Sequence, residues 1–169
     1  RRNDERDLCV PKSCFISDIA VMQKKLKQIY DSQIPDEKDY TEDPWKIDDI
    51  CIVMDDMVAT KMIRSATLDQ FVTRSRHIKT SFIFSVQLYK ALSPAVRVNS
   101  SYNIVFELWN NMELRRVYEE CGSQFTFEEF AEMAREIWET DHAVLCINQQ
   151  NPIKFRYIEN FKHFLVKNL

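Results

Sequence analysis

A chain of 169 residues with a single glycine, Gly122, lacks the residue on which glycine-rich phosphate turns depend. A loop of the type G-x-x-x-x-G-K-[ST] needs two glycines, because its backbone amides must close around phosphate oxygens with no Cβ in the way. The G-x-G-x-x-G turn that receives a nicotinamide dinucleotide needs more still. Neither turn can be written with this sequence.

Hydrophobic patterning predicts strands alternating with helices. Residues 1–12 are charged, contain Pro11 and read as an exposed lead-in, and "CFI" at 14–16 is a strand candidate. Ile19, Met22, Leu26, Ile29 and Tyr30 then recur at helical spacing with Lys24, Lys25 and Lys27 on the other side, which predicts an amphipathic helix over 18–31. Residues 31–49 carry Pro35, Pro44 and many acids, the composition of a solvated surface loop. "ICIVMDD" (50–56) is a continuous apolar run ending in two aspartates, the signature of a strand buried on both faces and therefore parallel and central. Thr67 and Gln70 form a capping box for a helix running to His77. "SFIFSVQ" (81–87) is the next strand, 88–100 a helix or turn interrupted by Pro94, and "YNIVFEL" (102–108) a third strand.

A helix over 111–121 stops at Gly122, and Thr126 with Glu129 opens another. In that second helix Phe127, Phe130, Ala131, Ala134, Ile137 and Trp138 form one buried stripe. "AVLCI" (143–147) and "IKFRYI" (153–158) are spaced to pair as a hairpin over "NQQNP". Such alternation implies an α/β domain, with a mostly parallel sheet carrying helices on both faces. Ligands of such sheets sit beyond the carboxyl ends of the strands.

Composition narrows the partners. A net charge of −3 with 45% apolar residues describes an ordinary globular protein, not a nucleic-acid wrapper, although a few basic residues suffice to grip DNA in the pore of an oligomer. No apolar run is long enough to span a bilayer, and no signal peptide stands at the start. The five cysteines form no C-x-x-C pair and read as reduced thiols, Cys51 and Cys146 as small core residues. With three scattered histidines they make no zinc set.

The strand ends carry the candidate chemistry. Asp55 and Asp56 stand where a buried strand meets solvent; in phosphoryl-transfer enzymes of this architecture the first carboxylate holds Mg²⁺ and the second orients the attacking water. The bland alternative is an acidic turn. Gln87 ends the next strand, where an amide both donates and accepts, or else merely opens the following helix. "RSRH" (74–77) offers Arg76 either as complement to a helix dipole or as an arginine finger to a neighbouring subunit's nucleotide. "AVRVN" (95–99) offers Arg97 and Asn99, with a surface salt bridge as the plainer reading.

In this order and spacing, the run from "CIVMDDM" through "TRSRHIKTSFIFSVQLYKALSPAVRVNSSYNIVF" (51–106) resembles the packaging ATPases of nucleocytoplasmic large DNA viruses. The poxvirus enzyme is the best-known relative, within the FtsK–HerA group of P-loop NTPases. The resemblance is concentrated in 47–110 and implies a RecA-like P-loop sheet, ATP and Mg²⁺ as cofactors, and a homo-oligomeric ring on double-stranded viral DNA. It also implies capsid or portal partners, and a place in the host cytoplasm (the viral factory) or the virion. By resemblance Asp55 is the Walker B metal carboxylate, Asp56 stands where many relatives have a catalytic glutamate, Gln87 is the sensor, and Arg76 or Arg97 is the finger.

The family's phosphate loop precedes the Walker B strand and is absent here. Residues 14–46 fit the strand, helix and loop that lie between those motifs, and the chain opens on Arg1. The expectation is a partial domain over 1–169, truncated at its N-terminus, which alone is inactive. Two other readings compete. One is a non-catalytic scaffold or interaction module descended from an ATPase. The other is a metal-dependent nuclease using Asp55, Asp56 and Glu107.

Overall fold

The computed structural model describes residues 12–33, 49–56 and 64–166. Helix α1 (Ile19–Gln33) starts where the Asp18 carboxylate accepts from the Val21 amide at 2.9 Å, and it buries Leu26. Strand β1 (Ile50–Met54) and strand β2 (Thr80–Phe84) pair in parallel, Ile50 opposite Thr80 through Met54 opposite Phe84. Helix α2 (Ala66–Arg74) makes the crossover between them. Its cap is Ser65, whose side chain accepts from the Leu68 amide, and not the Thr67–Gln70 box expected from sequence. Ser65 satisfies an amide at the helix start that would otherwise be orphaned.

The core of this half is an aromatic ladder. The fully buried ring of Phe71 meets Tyr30 edge-on at 5.3 Å and Phe82 at 5.1 Å, and Phe82 stacks on Phe84 at 5.6 Å. Leu68, Val72, Met54, Ile78 and Val96 fill the space around it. Truncating Phe71 to alanine would remove the ladder's centre, a loss of about 3–5 kcal/mol.

Helix α3 (Pro94–Asn99) is capped by Ser93 and carries proline in its first turn, where a missing N–H costs nothing. Strand β3 (Tyr102–Val105) leads into helices α4 (Asn111–Cys121) and α5 (Phe127–Trp138). Strands β4 (Leu145–Asn148), β5 (Tyr157–Glu159) and β6 (His163–Phe164) follow, and the second sheet runs β3-β4-β5-β6 with every pairing antiparallel. The expected stripe of α5 does pack inward: Phe130, Ala131, Ala134, Ile137 and Trp138 meet Leu114, Val117, Leu145, Ile147 and Tyr157 in a second core. The Thr126–Glu129 capping box forms in both directions.

Gly122 ends α4 as expected, but not through a left-handed backbone, since its φ is −89°. Space is the reason. A Cβ at this position would lie 2.1 Å from Cδ2 of Tyr118 and 2.8 Å from the Tyr118 carbonyl oxygen.

Several expectations need correction. The segment 14–16 is not a strand; a single 3-10 turn, Lys12–Cys14, ends there. Among the described residues the strands form two sheets, the parallel pair β1–β2 and the antiparallel β3-β4-β5-β6, so a mostly parallel sheet is not seen there. One helix between two strands returns the chain to its starting end and makes the next strand parallel. The helical hairpin α4–α5 returns it to the same end, so β4 runs against β3. Nor do helices cover both faces of the first pair. Ile52, Met54, Phe82 and Phe84 face the helical core, whereas Val53 and Ile83 on the other face are 63% and 56% exposed. Cys51 is exposed with them, while Cys146 is buried as expected. The lead-in 1–11 and most of the acidic loop, 34–48, lie outside the described residues.

Candidate functional site

The parallel register brings the two chemical strand ends to one rim. β1 stops at Met54, and the ladder continues one step further as the Ser85 amide donates to the Met54 carbonyl at 2.8 Å. Asp55 and Asp56 therefore leave the sheet beside Ser85–Gln87, and both are exposed. Asp56 takes a left-handed backbone (φ 48°), a conformation that aspartate tolerates better than most side chains. Across the rim, the Gln87 amide Nε2 donates to Asp56 Oδ1 at 3.2 Å. The acid pair and the glutamine of the sequence reading thus share one solvent-facing space.

Behind the rim, the connection from Gln87 to α3 is strapped to its surroundings. The Arg64 guanidinium donates to the carbonyls of Lys90 at 2.6 Å and Ala91 at 3.1 Å. Glu113, a buried carboxylate in the first turn of α4, accepts from the Tyr89 amide at 3.2 Å and pairs with Arg116. Lys90 reaches Glu119 at 3.1 Å. The Tyr89 hydroxyl lies 3.6 Å from the buried Cys121 thiol, which also receives Gln149 at 3.2 Å. Burial pushes both the Tyr89 phenol and the Cys121 thiol above their ordinary pKa values, so this node stays protonated and unreactive.

The two candidate arginines differ sharply. Arg97 is engaged within its own chain: it bonds Glu120 at 2.8 Å, donates to the Leu92 carbonyl at 2.7 Å and lies over the Tyr89 ring. Its neighbour Asn99 bonds the Ala95 carbonyl at 2.8 Å within α3. Arg76 is exposed and stands at the opposite end of the parallel pair, beside Thr80, where β2 begins. A five-residue strand spans about 16 Å, so Arg76 cannot reach the rim of its own sheet. It borders a polar hollow of about 400 Å³ with His77, Asn99, Ser101, Gln149 and Gln150.

Glu107 follows β3 in the other sheet. Among the described residues, no three His, Cys, Asp or Glu side chains converge to hold a metal ion. A nuclease built on Asp55, Asp56 and Glu107 therefore lacks its converging third ligand there. No helix among them is long and apolar enough to cross a membrane.

Arg64 and Glu113 were not singled out in sequence. Glu113 reads as an ordinary acid in a helix's first turn, and nothing local shows that it will reach a backbone amide 24 residues earlier.

Comparison with known proteins gives these features a context. B204, the DNA-packaging ATPase from Sulfolobus turreted icosahedral virus, shares the fold with a TM-score of 0.51 at 13% identity. The match covers 78% of this chain and 57% of B204, so the chain spans a little over half of that protein's length. No curated protein matches the chain by sequence. The family model described as Poxvirus A32 protein matches residues 12–150, which include both strand ends, Arg64, Arg76, Arg97 and Glu113. That span is most of the chain, and the chain belongs to the poxvirus A32 protein family.

Proposed function

We propose that this chain is part of a viral DNA-packaging ATPase, supplying the Walker B, sensor and finger elements of a nucleotide site within a RecA-like P-loop sheet. The observation that carries the reading is the 3.2 Å bond from Gln87 to Asp56, across two adjacent parallel strands. It puts an amide that donates and accepts within hydrogen-bond distance of a carboxylate that accepts, both exposed at one rim. Family membership and the fold shared with B204 support the same reading.

The residues fit MgATP as substrate. Mg²⁺ takes one or two carboxylates and completes its shell with water and phosphate oxygens, so it needs no third acid from the protein. Held there with the nucleotide, the ion would supply positive charge against the transferring phosphoryl group. Asp55 holds the metal's water shell. Asp56, one methylene shorter than glutamate, orients the attacking water. Gln87 donates to a γ-phosphate oxygen. Arg76, on the far end of the sheet, serves the neighbouring subunit's nucleotide in a ring. Arg97 is the second candidate for that role, though its bonds to Glu120 and Leu92 favour a structural one.

The phosphate loop is not in this sequence and belongs, in this account, to the rest of a longer protein. The partners proposed are duplex viral DNA, other copies of the chain, and capsid or portal proteins, in the viral factory or the virion. In the full-length protein, Asp55→Asn should lower ATP turnover by at least about 100-fold. Retained turnover would remove Asp55 from the metal role. The 169-residue chain by itself should show no turnover above its Asp55→Asn control.

A non-catalytic scaffold or interaction module descended from an ATPase is the second reading. A G-x-x-x-x-G-K-[ST] within about a hundred residues before Arg1 in the reading frame supports the motor. A start codon immediately before Arg1 supports the scaffold.

A further inference from the structure

The connection that follows Gln87 is a 3-10 turn over Tyr89–Ala91 leading into buried Leu92 and Ser93, and side chains take up the backbone groups that the turn itself leaves unpaired. Side chains hold one backbone group from each of four successive residues. The amide of Tyr89 goes to Glu113, the carbonyls of Lys90 and Ala91 go to the two donors of Arg64, and the carbonyl of Leu92 goes to Arg97. These holders come from different parts of the molecule. Arg64 precedes α2, in the stretch of chain that leaves Asp56; Glu113 opens α4 beneath the antiparallel sheet; Arg97 lies in α3. Two of them are unusual enough to ask for a role. A guanidinium whose donors go to two adjacent carbonyls fixes the direction of both peptide planes. A buried carboxylate is costly unless its oxygens are satisfied, and Glu113 divides its two between the Arg116 guanidinium and the Tyr89 amide.

We propose that Arg64 and Glu113 are positioning residues that hold the Gln87 amide against Asp56 by clamping the backbone of residues 89–91. The proposal rests on the sensor reading of Gln87. Tyr89 is two residues from Gln87, so a shift of the clamped backbone carries directly into the amide. Arg64 stands just before Ser65, the cap of α2, so the clamp ties the start of that helix to the segment after Gln87. Glu113 extends that tie to α4, and thereby links the nucleotide rim to the second core. Catalytic groups must be held to within a fraction of an ångström, and a misplacement of about 1 Å costs on the order of 100-fold in rate.

The test uses the full-length protein, with Arg64→Ala as the primary variant because Arg64 is exposed and its loss leaves both cores intact. Its kcat for ATP should fall about 10- to 100-fold while KM changes less than about threefold. Amide exchange in 88–92 should speed up about tenfold. Glu113→Gln, which keeps an acceptor for the Tyr89 amide, should retain turnover within about fivefold, whereas Glu113→Ala should not.

The decisive arm is the double variant. In a Gln87→Ala background, Arg64→Ala should lower kcat no further, because its effect passes through the glutamine. Independent, multiplying losses would overturn the proposal, and so would parental exchange rates in 88–92. If Gln87→Ala alone leaves turnover intact, the sensor reading fails, and the exchange rates then decide the clamp separately.

Discussion

Replacing Gly122 with alanine should destabilise the protein through crowding alone. The added Cβ would sit 2.1 Å from Cδ2 of Tyr118, so the ring must retreat by more than 1 Å to reach ordinary contact. That ring is anchored. Its hydroxyl donates to the Phe125 carbonyl at 3.0 Å, and its face meets Phe127 at 5.5 Å and Phe130 at 5.7 Å. The ring cannot absorb the whole clash either, because the Tyr118 carbonyl oxygen lies 2.8 Å from the new atom while it accepts the Gly122 amide at 2.7 Å. Overpacking costs about 1–3 kcal/mol, and the displaced hydroxyl bond adds about 1 kcal/mol. With an unfolding entropy of about 2.1 cal/mol/K per residue, a loss of about 2–4 kcal/mol lowers the Tm of this chain by roughly 6–11 °C. Calorimetry on parent and variant measures this. Because φ is −89°, backbone strain contributes nothing. Adding Tyr118→Ala should therefore recover part of the Gly122→Ala loss, as a double-mutant cycle reads. A Tm within about 2 °C of the parent, or additive losses in the cycle, would refute this packing argument.

The two arginines should separate by assay. Arg76→Ala in the full-length protein should cut turnover about 1,000-fold, and mixing it with Asp55→Asn subunits should restore part of the activity, since each supplies what the other lacks; mixed rings without recovery would exclude action in trans. Arg97→Ala should instead lower the Tm by about 3–8 °C, as Glu120 and the Leu92 carbonyl lose their partner, and an unchanged Tm with collapsed turnover would reverse the assignment. Burial pushes the Tyr157 phenol up to about 12, so the folded state holds that proton more tightly than the unfolded chain, whose phenol titrates near 10. The associated stability is complete below about pH 10 and is lost as pH rises toward about 12, a fall of about 2–3 kcal/mol measured by urea unfolding across that range. In Tyr157→Phe this alkaline loss should shrink.

What the sequence made legible was local. The stripe of α5, the Thr126–Glu129 box and the stop at Gly122 rest on spacing and capping chemistry within a few residues, and each is present in the structure. The β4–β5 pairing is present too, but a 3-10 turn at Ile153–Phe155 takes the first half of the expected strand 153–158 and lengthens the connection beyond "NQQNP". The acid pair and Gln87 were legible because a parallel pair with one crossover helix must bring both carboxyl ends to one rim. Direction in the second sheet was not, because it depends on α4 and α5 folding back as one hairpin. Apolar residues at Val53 and Ile83 also misled, since a run with no polar alternation reads as doubly buried whether or not its second face is covered. The bonds of Arg64 and Glu113 to the Gln87 connection span 24 to 27 residues, and no periodicity encodes a contact between a side chain and a distant peptide group.

The central claim is that Asp55, Asp56 and Gln87 form one nucleotide rim, and a structure of the full-length protein with Mg²⁺ and a non-hydrolysable ATP analogue tests it directly. The account predicts the γ-phosphate within hydrogen-bond reach of Gln87, with the metal's water shell on Asp55. A nucleotide bound elsewhere, with Gln87 still donating to Asp56 at 3.2 Å, would contradict it.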